Sequence, residues 1–345
     1  MLPYDYIKAF AANMQPKMSW DGAQPVADWQ AKAREKLFLL LGLDYMVRTE
    51  PKFEIEYDRN LPESEYGISV REIRFSFESE PGYRALCHML LPLEAVNARG
   101  SQGQDKLPAV ICLQGHSKGM HISLGRTRFA GESVTGDRDF CVRAVREGFA
   151  AIALEQRDFG ECGGNENGPQ CLDEALVNLL CGRTTIGERV WDVMRLYDVL
   201  VGEFADYVDS DAIYVLGNSG GGTCSVYAGA IDTRLAGAVP SCAVSTFAGS
   251  IGAMRHCACN YIPGILKYFD MSDLLILVAP RPLVVVSGRD DDIFPLDGAR
   301  QMTATASRAY EALGAPDNIA HVIGEGGHRF YADGAWAALR RMTGR

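Results

Sequence analysis

Apolar and polar residues alternate over 53–57, 68–77 and 83–91, the period of half-exposed antiparallel strands. After a polar connection over 97–106 the pattern changes. Residues 109–113, 150–154, 213–216, 236–239 and 283–286 are short, nearly continuous apolar runs, as in strands covered on both faces of a parallel sheet. Helices are predicted between them at 140–147, 186–201, 222–231 and 297–313. In the second of these, Ile186, Val190, Val193, Tyr197 and Leu200 make one apolar stripe, which leaves Glu188, Arg195 and Asp198 for the surface. Residues 1–50 read as amphipathic helix, clearest over 27–41 with Gly42 as the stop, and are expected to cap the core; a share in a cleft or a dimer contact is the rival reading. No internal repeat or low-complexity tract is present. The expected class is α/β: a mostly parallel central sheet with an antiparallel start and helices on both faces. A helical extension over 1–50 precedes one domain over 51–345.

The chain has 345 residues and is 47% apolar, enough for a large core; one domain of about 250 residues with extensions is expected. A net charge of −10 and a pI near 5.2 argue against nucleic acid or an anionic membrane as partner. No run approaches the ~18 uncharged apolar residues of a membrane span. The first residues carry Asp5 and Lys8 and lack a cleavable signal pattern. The ten cysteines then read as reduced thiols packed as small hydrophobes. A cytoplasmic location is expected, although a secreted chain trimmed of its leader would read the same. Oligomeric state, including a homo-oligomer, stays open.

Candidate chemistry centres on Gly217-Asn218-Ser219-Gly220-Gly221, which follows the apolar run 213–216 and precedes a small-residue helix. A Gly-x-Ser-x-Gly between strand and helix reads as a nucleophile elbow. It requires an acid and then a histidine further along the chain. The run 283–286 ends in Asp290-Asp291-Asp292, and a short strand over 319–323 is followed by Gly327-His328. Ser219 is therefore the candidate nucleophile, His328 the general base and Asp291 the acid, with Asp290 or Asp292 as substitutes. The backbone N–H of Gly220 is the first expected oxyanion donor. The second comes from the loop Gln114-Gly115-His116-Ser117, at His116 or alternatively Ser117.

Arg255-His256-Cys257-Ala258-Cys259 offers three potential metal ligands in four residues. Zinc sites bring a fourth ligand and better-spaced pairs, and no second Cys-x-x-Cys or histidine pair is evident, so no metal is expected. The segment reads instead as a wall or lid over the site, or as plain packing. Residues 120–139 and 165–185 are rich in Gly, Arg and polar residues, follow strand ends, and are expected to shape the site; Arg126, Arg128, Arg138 and Arg183 are candidates to meet a carboxylate or sugar.

From about Tyr83 onward the chain resembles the dienelactone hydrolase and acetyl xylan esterase-like branch of the α/β-hydrolases. The resemblance rests on Gln114-Gly115-His116, Gln156-Arg157-Asp158-Phe159-Gly160, Trp191-Asp192-Val193-Met194-Arg195, the elbow, Ala279-Pro280-Arg281-Pro282, the aspartate loop and Gly327-His328. It departs at Gln114-Gly115, where many relatives carry His-Gly, and at Asn218 of the elbow. The resemblance implies an α/β-hydrolase fold and a serine esterase of small acyl groups, on a small-molecule or carbohydrate ester, with no cofactor. Ser117, Arg157 and His256 are the candidate substrate-binding side chains. The rivals are a peptidase or amidase on the same residues, and a non-catalytic binding protein on the same scaffold.

Overall fold

The computed structural model describes residues 1–98 and 106–344. Its centre is one sheet of nine strands in the order β1-β2-β3-β5-β4-β6-β7-β8-β9. β1 (Glu54–Leu61), β2 (Val70–Glu80) and β3 (Tyr83–Pro92) are antiparallel, and β3 pairs antiparallel with β5 (Ala150–Leu154). From β5 onward the sheet is parallel, through β4 (Leu107–Leu113), β6 (Val208–Asn218), β7 (Gly237–Ser241), β8 (Leu283–Gly288) and β9 (Ile319–Gly324). The expected polar connection over 97–106 falls mostly outside the described residues.

The continuous apolar runs are explained by two cores. Successive side chains of a strand point to opposite faces. Ile213 and Val215 therefore enter one cluster with α2 (Val26–Leu40), α7 (Thr185–Gly202), α8 (Gly220–Ile231), α9 (Met271–Val278) and α10 (Leu296–Ala312). Tyr214 and Leu216 enter the other, with α5 (Phe140–Arg146) and α11 (Ala332–Thr343). Leu283 and Val285 against Val284 and Val286 repeat the division in β8. The described residues also form the helices α1 (Pro3–Ala12), α3 (Glu63–Tyr66) and α4 (Leu93–Ala98). No helix among the described residues is long and apolar enough to cross a membrane.

The second half of the N-terminal segment is docked rather than loose. Trp29, Ala33 and Leu37 of α2 join the larger core. Gln30 donates to the carbonyls of Ile276 and Ala279, both at 2.7 Å, and Arg34 donates to those of Ala230 and Leu277, both at 2.9 Å. These carbonyls lie at the C-terminal ends of α8 and α9, where intrahelical donors run out. Gly42 takes φ 72° and ends the helical run as expected.

Several elements differ from the sequence expectation. Glu188 and Arg195 of α7 are buried rather than on the surface, because α7 is covered on nearly every side. Their charges are met by Arg157 and Arg183 for Glu188, and by Asp198 for Arg195. β2 is buried along most of its length, with Glu72 and Glu80 held by arginines. Part of the expected loop over 165–185 is the helix α6 (Cys171–Cys181), whose Leu172, Leu176, Leu179 and Leu180 face outward and so give no buried stripe to read.

Candidate active site

Parallel strands deliver their following loops to one end of the sheet, where ligands bind in such folds. The loop after β4 carries His116, that after β6 Ser219, that after β8 Asp291 and that after β9 His328. Ser219 sits between β6 and α8 at φ 55°, ψ −121°, a conformation unfavourable for a side-chain-bearing residue. Its N–H donates to the Ser241 carbonyl at 2.8 Å and its carbonyl accepts from Thr223 N–H at 2.8 Å, so both neighbours fix the turn. The elbow glycines are required by contact. A Cβ on Gly217 would collide with the Gly221 backbone, and one on Gly221 with the carbonyl of Leu113.

Ser219 and His328 line one cavity of about 240 Å³ with Gln114, Gly115, His116, Arg138 and Arg329. Nδ1 of His328 lies 2.9 Å from Oδ2 of Asp291. Of the three adjacent aspartates only Asp291 is buried; Asp290 and Asp292 are exposed. Burial alone would raise the Asp291 carboxyl, but the bonds from His328 and from Phe294 N–H, with the Cys242 sulfur close by, outweigh it and hold the group below its ordinary value. Cys242, the residue after β7, is itself at φ 47° and escaped the sequence reading; nothing but its position after a strand end signals it. The Phe294 ring stacks on His328, with centroids 6.1 Å apart and planes at 17°.

The loop after β4 closes the other side. A Cβ on Gly115 would stand 2.9 Å from the Asn218 carbonyl oxygen and 3.0 Å from the Ser219 Cβ. A Cβ on Gly220 would stand 2.7 Å from Cε1 and Nδ1 of His116. The two segments expected to supply oxyanion donors are thus in contact. Gly220 is the first residue of α8, so its N–H has no carbonyl partner within the helix and lies at the positive end of the helix dipole. Ser117 is buried, and its hydroxyl has no hydrogen-bond partner among the described residues.

Arg157 does not belong to this cavity. It is buried, pairs with Asp192 at 2.9 Å, Glu80 at 3.0 Å and Glu188 at 3.3 Å, and lies over the Tyr83 ring. Three carboxylates already occupy its guanidinium, which sets it in the core and away from the lining of the Ser219 cavity. Arg126, Arg128 and Arg183 are likewise paired, with Glu72, Glu161 and Glu80. Arg138 has no ion pair among the described residues, and loss of water around it lowers its pKa.

His256 lines a second, larger cleft of about 780 Å³ between α6 and residues 255–261. Its ring meets the edge of Phe294 at 5.4 Å, and burial together with the charges of His116 and His328 lowers its pKa. The 250–270 segment therefore walls this cleft. It also carries Cys257 and Cys259, which the fold brings to His116 and to Cys171 of α6.

No protein-family model matches the chain. Over 308 residues it is 24% identical to "Putative hydrolase YtaP" of Bacillus subtilis (strain 168), covering 87% of this chain and 94% of that one. The solved structure of a putative acetyl xylan esterase from Bacteroides fragilis is similar with a TM-score of 0.76 at 17% identity, over 97% of this chain and 83% of that chain. A glucuronoyl esterase from Teredinibacter turnerae gives a TM-score of 0.65 at 17% identity, over 98% of this chain and 90% of that chain. With the strand order and the elbow, these likenesses establish the α/β-hydrolase fold.

Proposed function

We propose that this α/β-hydrolase-fold chain is a serine hydrolase that cleaves carboxylic esters of small acyl groups, with carbohydrate as the favoured alcohol. The observation that carries the reading is Ser219 on a strained turn, sharing one cavity with a histidine whose Nδ1 is held by the buried Asp291. With Nδ1–H donated to the carboxylate, Nε2 is left as the base. Ser219 Oγ attacks the acyl carbon and His328 takes its proton. The N–H groups of Gly220 and His116 receive the oxyanion. The alcohol leaves with the proton from His328, and a water deprotonated by the same nitrogen releases the acid and restores the serine. None of these steps calls for an organic cofactor.

The cavity of about 240 Å³ supports a small acyl group, and the larger cleft beyond His256 leaves room for a bulky alcohol. The similarity to an acetyl xylan esterase points the same way. Arg138, which has no ion pair among the described residues and lines the Ser219 cavity, favours a second reading in which the acetylated sugar carries a free carboxylate. All ten cysteines are free thiols, which supports a reducing, cytoplasmic setting.

The test is hydrolysis of p-nitrophenyl acetate and butyrate by the wild type beside Ser219→Ala and His328→Ala. Turnover favouring acetate, reduced by a factor on the order of 10³ or more in both variants, is expected. Equal rates in wild type and variants would sink the reading. Faster turnover of matched anilides than of esters would move it to an amidase, and failure to label with a fluorophosphonate would favour a binding protein.

A further inference from the structure

Beside the Ser219 cavity, three segments distant in sequence place four metal-ligating side chains together. His116 comes from the loop after β4, Cys171 opens α6, and Cys257 and Cys259 belong to the segment after β7. A His116 ring nitrogen and the three sulfurs all lie within 4.8 Å of one another, with Nε2 3.2 Å from the Cys259 sulfur. Tetrahedral zinc, at about 2.3 Å from sulfur and 2.0 Å from nitrogen, holds such atoms about 3.5–3.8 Å apart, so shifts of up to about an ångström close the shell.

Two bland accounts fit less well. Cysteines packed as small hydrophobes have no reason to gather around an imidazole nitrogen. A disulfide uses two sulfurs, whereas three converge here, and all are free thiols. The surroundings also suit a metal. Three thiolates and a neutral imidazole around a divalent ion carry one net negative charge. The fully buried Arg189 lies against it, with Nη2 3.2 Å from the Cys171 sulfur and its guanidinium over Phe159. A buried cation with this partner offsets the charge that burial of the cluster would otherwise leave unpaired.

We infer that His116, Cys171, Cys257 and Cys259 form a Cys₃His site for one zinc ion that staples the oxyanion loop, the start of α6 and the wall after β7 together. Binding displaces three thiol protons, one from each cysteine, with no change of oxidation state. Soft thiolates with one imidazole select zinc over magnesium or calcium. Four protein ligands fill the shell, so the ion positions His116, whose N–H faces the acyl oxygen in the proposed reaction, and does not itself activate water. The sequence expectation of no metal rested on a missing fourth ligand; His116 and Cys171 lie 143 and 88 residues before Cys259, and only the fold supplies them.

Elemental analysis of the full chain expressed with added zinc tests the site without reference to hydrolysis. One zinc per chain is expected, lost in Cys171→Ser and Cys259→Ser and kept in Cys181→Ser. Cobalt in its place should give sulfur-to-cobalt charge-transfer bands. A metal-free wild type that also gives no such bands overturns the inference, as does a mapped disulfide between any two of the three cysteines. If the serine variants do not fold, alkylation of the wild type decides. Cys257 should react with iodoacetamide only after chelation, and reaction unchanged by the chelator refutes the site. A failed esterase assay with one bound zinc would overturn only the proposed activity.

Discussion

Oδ2 of Asp291 accepts from Nδ1 of His328 at 2.9 Å, while Oδ1 of the same carboxylate accepts the N–H groups of Ile293 and Phe294 at 2.9 and 3.0 Å. One oxygen is fixed by the backbone so that the other can face the imidazole. Asp290 and Asp292, on either side in sequence, point to water.

Asp291→Asn is therefore expected to lower kcat by about 10⁴, because the amide favours the wrong tautomer of the imidazole. Asp290→Asn and Asp292→Asn, at exposed positions, should stay within about twofold of wild type. Steady-state kinetics on p-nitrophenyl acetate separates the three; a large loss at either neighbour and none at Asp291 would reassign the acid.

Arg157→Ala should cost stability rather than substrate affinity. Removing the guanidinium leaves Asp192, Glu80 and Glu188 as buried carboxylates short of a partner. The loss is expected at about 3–5 kcal/mol in urea unfolding. KM for a small ester should be unchanged wherever the variant is folded. A raised KM with unchanged stability would return Arg157 to the substrate site.

How far the sequence reaches is visible in these two residues. Periodicity and the apolar runs disclose the sheet, because strands covered on both faces must be apolar at every position. The elbow and the following Asp and His are legible because each sits just after such a run. Asp291 is the sequence's first choice among three aspartates, and its neighbours stay open there because the choice depends on how a short turn folds back on itself. An arginine in a motif reads as available charge, whereas the three carboxylates that meet Arg157 come from β2 and α7, far away in the chain. α6 was missed because its leucines face a cleft instead of the core.

Stability should rise with pH between about 4 and 6.5 through His321. Burial pushes its pKa down to about 4, and Nε2 lies 2.9 Å from the Ser287 hydroxyl. In the unfolded chain the group titrates near 6.5. Between these values the unfolded state binds more protons, so the contribution is complete above about 6.5 and disappears as pH falls to about 4. His321→Asn should flatten the dependence of urea stability on pH in that window. An unchanged slope would place the titration elsewhere.

Arg138→Gln is the specificity test. The guanidinium lines the Ser219 cavity without an ion pair among the described residues. If the sugar carries a free carboxylate, KM for acetates of acidic oligosaccharides should rise about tenfold, the scale of one charge-assisted contact. Neutral acetylated sugars should be little affected. Equal effects on both would leave Arg138 a shaping residue only.

Gly115 stands with no room for even a methyl group between its Cα and the Ser219 turn. The floor of the site is therefore a single piece: the loop after β4 and the elbow after β6 cannot be moved independently. Changes in what the protein accepts are left to Arg138 on the cavity wall and to the roof, α6 and the segment after β7, whose apolar faces are open to solvent. Such a division lets new substrates be tried by altering the roof while the reacting atoms stay in register.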